Sequence, residues 1–159
     1  PIVSGISSID SEAKLTIRGV PDIPGVAAKI LSPISEAGIE VDVIVQNISA
    51  ENNTDFTFTV DKNDAKKAED ILQKTSQTLG GGSIEVDDDI AKISIVGRGM
   101  RAHAGVASKM FQALAKHEIN ISMITTSEIK ISVVIKKEEM KNAVQALHDA
   151  FDLDKELDT

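Results

Sequence analysis

The sequence predicts an α+β protein made of two copies of one βαββαβ module, and three observations carry that prediction. The first is an internal repeat: Gly25-Val26-Ala27-Ala28-Lys29 aligns with Gly105-Val106-Ala107-Ser108-Lys109 at an offset of 80 residues. Without a gap, Val26, Ile30 and Ile34 then fall on Val106, Met110 and Leu114. Ile39, Val41, Val43 and Ile44 likewise fall on Ile119, Ile121, Met123 and Ile124. The second observation is that each copy passes through the same changes of hydrophobic period, from strand to helix to two strands to helix. The third is a mismatch at the ends, where the first copy has a closing strand and the second does not.

The elements follow in order. Leu15-Thr16-Ile17-Arg18 and Ile93-Ser94-Ile95-Val96 are rich in β-branched residues and run into glycine loops, as strands do. Val26, Ala27, Ile30, Leu31 and Ile34 keep helical spacing, with Gly38 placed to end the helix in a left-handed conformation. Pro33 removes an interior hydrogen bond from that helix and predicts a slight kink or a short helix. Residues 39–45 and 54–60 read as two strands joined by Ser49-Ala50-Glu51-Asn52-Asn53, and 119–124 and 130–135 as their counterparts. A second helix follows in each copy. Ala65, Ala68, Ile71, Leu72 and Thr75 give one apolar face, entered at Asp61 or Asn63 and stopped by Gly80-Gly81-Gly82. Met140, Val144, Leu147 and Phe151 give the other, with Glu138 and Glu139 at its positive end.

Ser83-Ile84-Glu85-Val86 closes the first copy as a split βαβ, ferredoxin-like module. After Phe151 the second copy offers only Asp152-Leu153-Asp154-Lys155-Glu156-Leu157-Asp158-Thr159, too acidic to sit inside a sheet. The β-like segment Ile2-Val3-Ser4-Gly5-Ile6 has no other place, so it is expected to supply the missing strand. The domains are then 14–88, and 1–13 together with 89–159, the first inserted in the second.

Composition narrows the function. The 159 residues suit two small domains, and the hydrophobic fraction of 42% is that of a folded globular chain. No apolar run nears the roughly 20 residues that cross a bilayer, so no membrane partner is expected. A net charge of −8 opposes binding to a polyanion, which needs a basic face, so no nucleic-acid partner is expected either. Only Phe56 and Phe58 could stack on bases, and at i, i+2 they share one face, where core packing is their expected role. Cysteine is absent, which excludes disulfides, zinc thiolates and thiol catalysis. The start of the chain has neither a basic region nor a long apolar core, which fits a cytoplasmic location. The lack of an initiator Met fits trimming or a place within a longer polypeptide.

No catalytic group and no metal site is expected. His103, His117 and His148 stand at no metal-ligand spacing, and the last two lie late in helices, where a cation suits the dipole. Gly80-Gly81-Gly82 lacks the Lys-Ser/Thr of a phosphate loop, and Gly97-Arg98-Gly99 lacks the third glycine of a dinucleotide fingerprint, so both read as turns. Asp87-Asp88-Asp89 reads as a solvated linker. Arg98, Arg101 and His103 form the one cluster that an enzyme reading would have to use.

The strand-loop-helix junction Gly19-Val20-Pro21-Asp22-Ile23-Pro24-Gly25-Val26-Ala27 remains. Bare backbone N–H groups at a helix start receive a carboxylate, and Asp22 beside them could take an ammonium or a hydroxyl. That pairing of charges suits a free amino acid. In the second copy the junction reads Met100-Arg101-Ala102-His103-Ala104-Gly105, with Ala102 in place of Asp22 and, further on, Thr126 in place of Gln46. The copies keep their cores and differ in loop polar groups.

Asp22-x-Pro24-Gly25, Val45-Gln46-Asn47-Ile48-Ser49 and Ser127-Glu128-Ile129-Lys130-Ile131-Ser132 together resemble the tandem ACT-domain regulatory region of the aspartate kinase family, in its lysine- and threonine-controlled form. The resemblance covers nearly the whole chain. It implies two ACT domains that regulate a kinase catalytic domain, or an α subunit, with threonine and also lysine as effectors in feedback inhibition. It implies no cofactor in this chain, and it implies a homodimer. Asp22, Gly25, Ala27 and Gln46 match one side of the threonine pocket, and Asn120 and Ile121 match the side given by the second ACT domain of a partner chain. Ser127 and Glu128 match a segment associated with the lysine response. Ala104 departs from the family, whose members often have proline before the second helix. A module that only dimerises, without binding an effector, is the alternative.

Overall fold

The computed structural model describes residues 3–48, 51–98 and 103–152. The chain divides into an inserted unit, Ser11–Asp88, and an outer unit made of Pro1–Asp10 with Asp89–Thr159.

The inserted unit runs β2 (Glu12–Pro21), α1 (Val26–Glu36), β3 (Val41–Ile48), β4 (Asn53–Asp61), α2 (Ala65–Thr78) and β5 (Ser83–Asp87). All strand pairs are antiparallel, in the order β3-β4-β2-β5. One face of this sheet carries Leu15, Ile17, Val20, Phe56, Phe58 and Val60, all buried against Val26, Ile30 and Ile34 of α1 and Ala68 and Leu72 of α2. Phe56 and Phe58 are therefore core residues, as their spacing suggested. Each large apolar side chain buried in this way contributes about 1.5–3 kcal/mol.

The outer unit repeats the plan with its strands drawn from both ends of the chain. It contains β1 (Val3–Ile9), β6 (Ile90–Gly97), α3 (His103–Lys116), β7 (Met123–Thr126), β8 (Lys130–Lys136) and α4 (Met140–Phe151). The order β1-β6-β8-β7 mirrors β5-β2-β4-β3. The N-terminal segment does supply the missing strand: β1 pairs with β6 from Val3↔Gly97 to Ile9↔Lys92, and Val3 enters the core. Residues 1–2, 49–50, 99–102 and 153–159, on which parts of the expected first strand, hairpin loop, second junction and acidic tail fall, lie outside the described residues.

Hydrogen bonds repeat along with sequence. After α1, Gly38 N–H donates to Ser35 O (2.9 Å) and Ile39 N–H to Ile34 O (3.3 Å). Eighty positions on, Glu118 N–H donates to Ala115 O (2.9 Å) and Ile119 N–H to Leu114 O (3.0 Å). Both exits satisfy the last carbonyls of the helix through a left-handed residue.

Two strands start later than expected, and two helices show how their ends are set. Helix α1 runs through Pro33 to Glu36, a length of 11 residues against 14 for α3. Strand β7 starts at Met123 instead of 119, because Ile119 is buried as the residue that ends the α3 turn and Ser122 N–H already bonds Val134 O (2.9 Å). Strand β3 likewise starts at Val41 after a buried Ile39, and runs on to Ile48. Helix α2 is entered through a 3₁₀ turn at Lys62–Asp64, where Asp61 accepts from Asn63 N–H at 2.9 Å.

Candidate functional site

The register of the inserted sheet brings the first group of expected site residues to one end. Strand β4 lies between β2 and β3, and Thr54 is paired with Val20 on one side and Ile48 on the other. The loop that leaves β2, with Asp22 and Gly25, therefore stands at the same end as the last residues of β3, with Gln46. Gln46 pairs with Phe56, so it stands on the face that carries the helices, and it is exposed there.

Two β-bulges set this arrangement. From Ile17↔Phe56 to Val20↔Thr54, β2 spends three residues against two on β4. From Val41↔Val60 to Ile44↔Phe58, β3 does the same. In a regular strand, residues three apart face opposite ways; one extra residue restores them to the same face. Ile17 and Val20 are both fully buried in the helix-side core as a result. Each bulge is held from β4. Asp55 Oδ1 accepts Gly19 N–H at 2.9 Å, and the Thr59 hydroxyl accepts Val43 N–H at 3.1 Å.

The junction itself is tied to the β3–β4 hairpin. Asp22 N–H donates to Asn52 O (2.9 Å), and the buried Thr54 hydroxyl donates to Asn47 O (3.0 Å). Val26 N–H donates to Ile23 O at 3.2 Å, and the first full helical bond runs from Lys29 N–H to Gly25 O at 3.0 Å. Ala27 and Ala28 N–H precede that ladder, at the positive end of α1, and no side chain caps them. Gly25 occupies the cap with φ 88, a conformation open to glycine and strained for most side chains. Asp22 through Gly25 are exposed and Ala27 is half-buried.

The described part of the outer unit differs here. Helix α3 is already helical at His103, the counterpart of Ile23, and Gly105 lies inside it. Without the proline of position 24, Ala104 continues the helix one turn further toward its start. Of the Arg98, Arg101 and His103 cluster, Arg98 is exposed after β6, while Arg101 and the His103 side chain lie outside the described residues. Asn120 (exposed) and Ile121 (packed on the outer core) sit between α3 and β7. Ser127 and Glu128 are exposed in the β7–β8 turn, closed by Ser127 N–H to Lys130 O at 2.7 Å. Ser122 and the four residues of β7 separate these two pairs.

On the face of the inserted sheet away from the helices, Arg18 reaches across β2. Its Nε and Nη2 each lie 3.0 Å from Glu85, and its Nη1 lies 3.2 Å from Asp55 Oδ2. The hydrogen bond and opposite charge of Arg18 hold the Glu85 carboxyl below the usual carboxylate range, and Glu85 raises Arg18 in turn. Both are well exposed, so the pair is a modest contributor. His117 Nδ1 lies 3.0 Å from Ala113 O, a helix-end contact. Among the described residues, no three His, Asp or Glu side chains are grouped to hold a metal ion, and no helix is long and apolar enough to cross a membrane.

Asn52, Thr54 and Asp55 were not among the residues singled out by sequence. Asn52 had a signal, since asparagine tolerates the left-handed φ of 61 that it adopts in the turn. Asp55 had none, because its role depends on which strand residue faces a bulge.

The chain is similar to known proteins of one family. The family model for the ACT domain matches residues 15–75 and 93–151. An aspartate kinase of Pseudomonas fluorescens (strain SBW25) is 64% identical over 154 residues, covering 97% of this chain and 37% of that protein. The crystal structure of aspartokinase alpha and beta subunits has a chain 48% identical to this one, with a TM-score of 0.88 and coverage of 95% of this chain and 99% of that one. The ligand-free regulatory subunit of aspartate kinase from Thermus thermophilus is 40% identical, with a TM-score of 0.89 and the same coverage. The chain thus belongs to the ACT domain family, as a tandem pair. More narrowly, it corresponds to the regulatory ACT region of aspartate kinase. It spans a little over a third of the length of the curated relatives, 37% of the first and 38% of the second.

Proposed function

We propose that the chain senses threonine, with lysine as a further effector, for feedback inhibition of an aspartate kinase catalytic domain or α subunit in the cytoplasm. The observation that carries this reading is the uncapped start of α1 beside Asp22, with Gln46 on the same face at the same sheet end. The Ala27 and Ala28 N–H groups suit the carboxylate of a free amino acid. Asp22 suits its ammonium, and Gln46 offers an amide to a side-chain hydroxyl. The earlier start of α3, at the counterpart of Ile23, supports a division of labour, in which Asn120 and Ile121 of a second chain complete the pocket. Ser127 and Glu128 serve the lysine response.

A homodimer fits the edge strand. Ile44 and Ile48 are 49% and 66% exposed along β3, whose outer edge has no neighbour within its sheet. An effector gripped by two chains acts by binding one arrangement of the dimer more tightly than another, and the kinase is held inactive in the favoured one.

Calorimetry tests the reading. Threonine should bind wild type, and D22A or Q46A should weaken it at least ten-fold while the dimer persists in sedimentation. No heat with threonine, lysine or methionine would overturn the sensor reading. The same exposed isoleucines also suit a module that only dimerises. That second reading predicts dimers with no threonine binding in any variant.

A further inference from the structure

Asp55 stands on β4 opposite the bulge at Arg18–Gly19, with its carboxylate on the sheet face away from the helices. One oxygen accepts Gly19 N–H at 2.9 Å and the other receives Arg18 Nη1 at 3.2 Å. Gly19 has φ 71, a left-handed conformation used by one class of β-bulge and open to glycine. A bulge leaves one N–H outside the strand ladder, and here the Asp55 carboxylate takes it up.

The consequence is one of phase. In a regular strand without the bulge, Val20 would face away from the helices, and the chain beyond it would leave the sheet on the wrong side for α1. With it, Val20 is fully buried beneath the helices, and Pro21-Asp22 follows toward the face that holds Gln46. The side-chain hydrogen bonds of Asp55 run to Gly19 and Arg18, neither of them among the expected pocket residues. We infer that Asp55 is a positioning residue of the effector site: by capping the β2 bulge it fixes the approach of Asp22 and the α1 start to Gln46. This inference rests on the threonine reading given above.

The neighbouring charges separate this role from surface electrostatics. Arg18 has two contacts to Glu85 and one to Asp55, so Glu85 carries the stronger share of the ion pair and none of the bulge. In threonine calorimetry on the whole chain, D55A should weaken binding at least ten-fold. D55N, which keeps an oxygen for Gly19 N–H, and E85A, which removes only the ion pair, should stay within about two-fold of wild type. Gly19 amide exchange should rise in D55A and not in E85A. If D55A does not fold, D55E displaces the acceptor by one methylene. Its affinity should then fall in step with faster Gly19 exchange. Wild-type affinity in D55A, or in D55E with Gly19 exchange raised ten-fold, overturns the assignment alone. A wild-type chain that takes no threonine overturns the effector reading and this assignment with it.

Discussion

Glu118 adopts φ 59 where the inserted unit has Gly38 at φ 76. Both residues close a helix with the same pair of hydrogen bonds, so the backbone demand is equal and only the side chain differs. A left-handed conformation costs an L-residue roughly 1–2 kcal/mol, and glycine returns part of that through its larger unfolded-state entropy. Glu118→Gly is therefore expected to stabilise the protein by about 0.5–1 kcal/mol, read as a higher urea midpoint at constant slope. The Asp22 and Gln46 substitutions belong to this scale too, since each removes one proposed contact to threonine and leaves the core intact. Sequence showed the junction residues because proline and glycine punctuate it. It did not show what holds them, because Asn52, Thr54 and Asp55 act through register, and a one-residue bulge is invisible to a pattern of period two.

At the scale of elements, the segment Gly80-Gly81-Gly82 shows how much a turn can depend on space. All three have positive φ, of 82°, 146° and 115°. A Cβ on Gly80 would meet nothing within 4 Å, whereas one on Gly82 would lie 3.0 Å from Val20 Cγ1 and 3.2 Å from Arg18 O. Ser76 Oγ also donates to Gly82 O at 2.7 Å, fixing the exit of α2 into β5. Gly82→Ala should cost about 1–3 kcal/mol, and Gly80→Ala less, by thermal melts of the two variants. Equal losses would show that the crowding is relieved elsewhere. Sequence placed every helix and nearly every strand, since apolar periods of 3.6 and 2 differ clearly over these lengths. It misplaced the starts of β3 and β7 for one shared reason. Ile39 and Ile119 are apolar because they seal the end of a helix, and an isoleucine beside a strand looks like part of it.

For the whole molecule, the division into Ser11–Asp88 and the surrounding outer unit makes a prediction about cooperativity. Strand β1 brings Val3 into the outer core, packs Ile6 against it, and covers one edge of β6. Removing residues 1–10 should strip hydrogen-exchange protection from β6, β8 and α4 while β2, β4 and α2 keep theirs. Loss of protection in both units together would show a single cooperative system. Topology was legible here from a deficit, one strand too few in one copy and one to spare at the start. The insertion also orders events in time. During synthesis the inserted unit emerges as one continuous stretch, with every strand it needs. Strand β1 is made before the inserted unit yet must wait for β6, about 5–15 seconds later at ordinary elongation rates. The half that bears Asp22 can thus be complete on the ribosome while β1 still lacks its partner, a strand with both edges open.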